Sequence, residues 1–120
     1  MLTKQFIAGF ICGEGSFSQW SIARKEKSYK VFRFCITQHQ REMSLLEEMR
    51  DTLGYGTVRR KSSPKNNPIF VEYMICRAPD LVKFFNDISP FLIGFKKEQA
   101  TKWFQELMEY KNNKNNKIKE

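Results

Sequence analysis

Residues 31–37, Val-Phe-Arg-Phe-Cys-Ile-Thr, alternate strictly, with Phe32, Phe34 and Ile36 on one side and Val31, Arg33, Cys35 and Thr37 on the other. Successive side chains of a strand point to opposite faces, so this run belongs to a half-buried sheet. One face of that sheet requires a core; the other is mixed and partly basic. Residues 16–24 read as a preceding strand, joined to a strand at 29–38 through the polar hairpin turn Lys25-Glu26-Lys27-Ser28. A third strand at 55–62 carries Thr57, Arg59 and Lys61 on one face. A fourth at 69–76 sets Val71, Tyr73 and Ile75 against Phe70, Glu72 and Met74, and residues 63–68, with Pro64, Asn66, Asn67 and Pro68, form the loop between them.

Helical segments supply the layer that covers the apolar face. Residues 3–13 are apolar on every side of the turn, as in a helix buried all round, with Thr3 as N-cap. Two internal glycines, Gly9 and Gly13, lower the stability of that helix by roughly 1 kcal/mol each, which suggests that another backbone approaches closely there. Residues 41–53 are amphipathic, with Met43, Leu45, Leu46, Met49 and Leu53 as the apolar stripe and Gly54 as the stop signal. A short helix at 79–88 begins near Pro79, and a last one at 96–111 carries Trp103, Phe104, Leu107 and Met108. The 120 residues, 41% hydrophobic and 14% aromatic, suffice for one core but not for two. The expected architecture is α+β: one domain over 1–111, in the order α-β-β-α-β-β-α-α, with four antiparallel strands and helices on one face. Residues 112–120, rich in Asn and Lys, are expected as a flexible polar tail.

The remaining sheet face is where function is sought. It collects Arg24, Arg33, Arg59 and Lys61 with Cys35, Thr37, Thr57, Phe70, Glu72 and Met74, and is joined by Ser16, Ser18 and Trp20. Parity in the first strand is open: if Ser18, Trp20 and Ile22 face out, Gln19 and Ser21 face the helices. A net charge of +8, from 21 Lys+Arg against 13 Asp+Glu, favours a polyanionic partner. A twisted antiparallel sheet with a polar, basic face can lie along a DNA groove, with Arg33 and Arg59 at base edges and Arg60, Lys61 and Lys65 nearer phosphate. No stretch approaches the roughly 18 apolar residues of a membrane span, and residues 1–10 do not read as a secretion signal, so no membrane partner is expected. Cys12, Cys35 and Cys76 form no CxxC pair, which argues against a zinc ribbon or disulfide framework and for a reducing, intracellular setting. His39, the only histidine, has no Cys or His at zinc-like spacing.

The glycine-bearing helix ends in Ile7-Ala8-Gly9-Phe10-Ile11-Cys12-Gly13-Glu14-Gly15, which resembles the LAGLIDADG motif of homing endonucleases. Ala8, Gly9, Ile11 and Gly15 match outright. Ile7 and Phe10 stand for leucines, Gly13 for alanine and Glu14 for the last aspartate, while Cys12 replaces the earlier aspartate. Three further segments resemble the same family: Ile36-Thr37-Gln38-His39 at a strand end, Leu53-Gly54-Tyr55-Gly56-Thr57-Val58 at a turn, and Pro90-Phe91-Leu92-Ile93-Gly94-Phe95-Lys96 before the last core helix. The resemblance covers about 2–110 and implies the αββαββα homing-endonuclease fold, with a DNA-binding saddle. One motif, as in one half of the two-motif monomeric enzymes, implies a homodimer whose motif helices pack through Ile7, Ala8, Gly9, Phe10, Cys12 and Gly13.

The implied activity is site-specific cleavage of double-stranded DNA at a long pseudopalindromic site, leaving 3′ overhangs. Glu14, Gln38 and Lys96 are the implied catalytic residues. Glu14 and the Gly13 carbonyl would hold Mg²⁺, with Mn²⁺ or Ca²⁺ as substitutes. Family relatives that bind intron RNA as maturases, or bind DNA without cutting it, are the alternative. An Asn- and Lys-rich chain fits the AT-rich genome of an organelle (mitochondrion or chloroplast), a bacterium or a phage alike.

Overall fold

The computed structural model describes residues 1–61 and 69–119, with side chains described as far as Asn113. Helix α1 (Lys4–Glu14) runs directly into strand β1 (Gly15–Arg24), followed by β2 (Lys27–His39), α2 (Met43–Leu53), β3 (Thr57–Arg60), β4 (Phe70–Ile75), α3 (Ala78–Ile88) and α4 (Gly94–Lys119). The strands form one antiparallel sheet in the order β1-β2-β4-β3, so β2 and β4 are central and β1 and β3 lie at the edges. The expected element order is the observed one.

Local chemistry accounts for most element ends. Thr3 caps α1, its hydroxyl accepting from the Phe6 amide at 3.0 Å. Gly54 ends α2 at φ 88°, the left-handed conformation that favours glycine. His39 Nδ1 accepts from the Arg41 amide at 3.1 Å and starts the 3-10 turn Gln40–Glu42 ahead of α2. The β1–β2 connection is tighter than expected. Arg24 pairs with Lys27, leaving a two-residue turn in which Lys25 (φ 46°) and Glu26 (φ 67°) are both left-handed. Strand β2 therefore starts two residues earlier than its sequence pattern suggests. Strand β3 is shorter than expected, and the loop at 63–68, with Lys65, lies outside the described residues. Residues 112–119, expected as a tail, continue α4 in the backbone; no Gly or Pro interrupts the helix there.

The core lies between the sheet and the helices. Ile7, Ala8 and Ile11 of α1 meet Phe34 and Ile36 of β2, Val71, Tyr73 and Ile75 of β4, Leu46 and Met49 of α2, Leu81 and Phe84 of α3, and Trp103 and Leu107 of α4. Phe34 and Phe84 approach to 4.4 Å between ring centroids, and Phe17 meets both Phe34 (5.0 Å) and Trp103 (5.1 Å). The buried Tyr73 hydroxyl donates to the Tyr55 carbonyl at 2.8 Å, and the Tyr55 hydroxyl donates to Asp87 at 2.9 Å. Burial pushes both phenols well above the ordinary tyrosine range, so both remain neutral donors. Among the described residues no helix is long and apolar enough to cross a membrane.

Candidate nucleic-acid interface

Strand register fixes what lies on the uncovered face. Ser16 stands opposite Cys35, which stands opposite Met74, which stands opposite Thr57. The next rows hold Ser18 with Arg33, Trp20 with Val31, and Thr37 with Glu72 and Arg59. Arg24 joins at the hairpin and Phe70 at the start of β4; Lys61, just beyond β3, donates its amide to the Phe70 carbonyl at 3.0 Å. Every residue expected on this face shares its parity. The ambiguity in β1 is resolved: Ser18, Trp20 and Ile22 point away from the helices. Gln19, on the helix side, is exposed at the sheet edge and donates to Glu106 of α4, while the Trp103 indole donates to the Ser18 carbonyl at 2.9 Å. Arg60 has the opposite parity from Arg59 and Lys61, being opposite Val71.

At the hairpin end of this face, Arg24 was expected, but Lys25, Lys27 and Tyr29 were not. Ile22, Arg24, Lys25, Lys27, Tyr29 and Val31 line an open groove of about 1020 Å³. Assigning residues 25–28 wholly to the turn hid Lys27, which pairs with Arg24, while the parity that Tyr29 shares with Val31 and Arg33 was open to see.

The two arginines proposed for base edges differ in setting. Arg33 is half-buried, with its guanidinium carbon 5.1 Å from the Trp20 ring centroid and Nη1 3.8 Å from the Met74 sulfur. Its Nε is buried without a hydrogen-bond partner among the described residues. Arg59 is well exposed, and its Nε donates to Glu72 Oε1 at 2.7 Å. Beside them burial raises the Cys35 thiol above its ordinary range, against the opposing pull of Arg33, so Cys35 stays uncharged.

The second cluster lies where α1 becomes β1. Glu14, the last residue of α1, is exposed. Gly15 is buried, and a Cβ there would come within 2.8–2.9 Å of Ile11 and Phe34, so only glycine lets the helix end lie this close to β2. Lys96 Nζ donates to the Gly15 carbonyl at 2.7 Å across a sequence separation of 81. Lys96 sits in the first turn of its own helix, where the dipole disfavours a cation; the C-terminal end of α1 supplies the compensating negative pole. Lys96 is thus fixed at the end of the helix that carries Gly13 and Glu14. Gln38 is two residues beyond Ile36, the partner of Gly15, and so about 7 Å along the strand at the same end of the sheet, on the helix side. Among the described residues no three His, Cys, Asp or Glu side chains converge as a metal cage. The donor set is nonetheless the kind Mg²⁺ accepts, because this ion commonly takes one or two carboxylates and completes its shell with phosphate oxygens and water.

The helix-packing expectation needs correction. Ile7 and Ala8 are closed inside the chain's own core, at 0% and 1% exposure, and are not offered to a partner. A segment apolar all round does not reveal which side turns inward; packing in the core turns Ile7, Ala8 and Ile11 in. The outward strip of α1 holds the exposed Phe6, Gly9 and Gly13, with Phe10 and Cys12 partly covered; a Cβ at Gly9 or Gly13 would touch nothing in this chain.

Known structures share this fold. The crystal structure of the LAGLIDADG meganuclease I-CpaMI bound to uncleaved DNA matches with a TM-score of 0.83 at 21% identity, over 95% of this chain and 40% of that one. The homing endonuclease I-TnaI matches with a TM-score of 0.83 at 23% identity, over 93% and 76%. The homing endonuclease I-CvuI, in complex with its target in the presence of Ca, matches with a TM-score of 0.79 at 22% identity, over 92% and 69%. The sheet with its helices is therefore the homing-endonuclease fold. The sequence carries the assignment further: the LAGLIDADG endonuclease family model matches residues 7–107, and the chain belongs to that family. No curated protein matches it. The chain spans about two fifths of the length of I-CpaMI.

Proposed function

We propose that this chain is one half of a homodimeric endonuclease that cuts double-stranded DNA at a specific, long and roughly palindromic site with the help of Mg²⁺, leaving 3′ overhangs. The observation that carries the reading is the junction at Gly15, where an exposed carboxylate and a fixed ammonium adjoin the first strand of the polar sheet face. Recognition and chemistry are joined there without an intervening loop.

In this reading the sheet face lies in the groove and sets the position of the scissile phosphate near Glu14. The Glu14 carboxylate and the Gly13 carbonyl would hold the metal. An ion held there would supply Lewis-acid activation of water and stabilisation of the leaving oxygen. Lys96, restrained by the Gly15 carbonyl, presents its ammonium to the charge that develops on the phosphate. The Gln38 amide orients water at the same end of the sheet. A second copy supplies the second carboxylate and the second half-site, meeting the first along the Gly9–Gly13 strip, where the lack of side chains permits close approach of two helices. The two-fifths coverage of I-CpaMI fits a unit used twice.

Glu14→Gln provides the direct test. The residue is exposed, so the fold should be unchanged; cutting should be lost while DNA binding persists. Retained cutting by this variant removes Glu14 from the chemistry.

A further inference from the structure

Glu72 is the one charged residue closed off from solvent among the described residues, at 3% exposure, and it lies on the sheet face that carries the cationic side chains. An ionised carboxylate is tolerated in such a position only with a close partner. That partner is Arg59, on the neighbouring edge strand directly opposite, bound through Nε at 2.7 Å. The two sides of the pair are unlike: the Glu72 side chain is 4% exposed and that of Arg59 58%.

The choice of nitrogen matters. A guanidinium has two usable edges, and Glu72 holds the one containing Nε. The edge formed by Nη1 and Nη2 lies outside that bond, on a side chain that is mostly exposed. Two parallel N–H donors match the O6 and N7 acceptors that guanine presents in the major groove. Adenine offers a donor and an acceptor at the same place and fits worse. An arginine already held at Nε loses less conformational freedom when it binds a base. Glu72 also neutralises Arg59, which weakens its general attraction to phosphate and leaves hydrogen-bond geometry to decide what it binds. Arg33 has a different position, folded against Trp20 and Met74 with its Nε buried.

We infer that Glu72 is a positioning residue that orients Arg59 to recognise one guanine in each half-site. The inference rests on the DNA-binding reading above. It adds to that reading a specific base and the buried group responsible for its selection.

The test is selection of bound duplexes from a randomised DNA library, with Ca²⁺ in place of Mg²⁺, for the unaltered chain and for Glu72→Gln, Arg59→Ala and Arg59→Lys. The unaltered chain should require guanine at one position per half-site. Arg59→Ala should abolish that requirement, and Arg59→Lys should do the same while keeping more of the overall affinity. Glu72→Gln, which preserves size and removes the charge, should weaken the same preference about ten-fold and leave other positions unchanged. A merely structural ion pair would shift melting temperature without touching one base. Three results overturn the inference alone: an unchanged profile in Glu72→Gln, a uniform loss across all positions, or dependence on a base other than guanine at the Arg59 position. If the unaltered chain selects no sequence, the DNA-binding reading fails with it.

Discussion

Along β2, Phe32, Phe34 and Ile36 are closed off from solvent, while Val31, Arg33, Cys35 and Thr37, one residue away in each case, remain half-exposed. The two faces share every backbone hydrogen bond of the sheet and differ in what side chains do with one another. On the helix side, rings and aliphatic groups interlock, and the polar atoms present, such as the Tyr73 hydroxyl, are bonded. On the open side the ordered contacts centre on two arginines: Arg59 with Glu72, and Arg33 with Trp20 and Met74. Stability is concentrated on one face, which frees the other to carry groups chosen for binding.

Four perturbations would break or sharpen that contrast. Phe34→Ala on the covered face should lower stability by about 3–5 kcal/mol in denaturant unfolding, whereas Thr57→Ala on the open face should stay within about 0.5 kcal/mol. Comparable losses would mean the open face is a second core. Lys96→Met should slow single-turnover cutting by roughly 10²-fold, in line with loss of one preorganised cation, with a much smaller change in DNA affinity. Equal losses in both would make Lys96 a binding residue only. Tyr73→Phe should destabilise by about 1–3 kcal/mol by leaving the Tyr55 carbonyl without its buried donor. The last effect is a gain, at the hairpin. Replacing Lys25-Glu26 with Asn-Gly, which accepts left-handed backbone readily, should raise stability by about 1 kcal/mol. A loss there would show that the present turn makes compensating contacts.

Much of this architecture was readable from residues alone, where a local period or cap encodes it. The alternation of 31–37, the Gly54 stop and the Thr3 cap each depend on neighbours a few positions away. Three features resisted because their causes are non-local or lack a sequence signal. Lys96 was marked only through the family resemblance; by its own surroundings it looks like a solvated lysine at a poor helix position until the fold brings α1 to it. The turn at Lys25-Glu26 lacks the glycine or asparagine that marks left-handed backbone. Ile7 and Ala8 belong to a helix with no polar face, so its rotation depends on the sheet it packs against. The Arg59–Glu72 pair lies between these cases: shared parity was visible, but not that one member would be buried and the other exposed.

The most direct measurement of the central claim is incubation of the chain with a randomised duplex library, with and without Mg²⁺, followed by sequencing of the cut ends. The account predicts Mg²⁺-dependent double-strand cuts within a common, roughly palindromic sequence, with short 3′ overhangs. No cutting, cutting without sequence preference, or blunt or 5′-overhang products would contradict it.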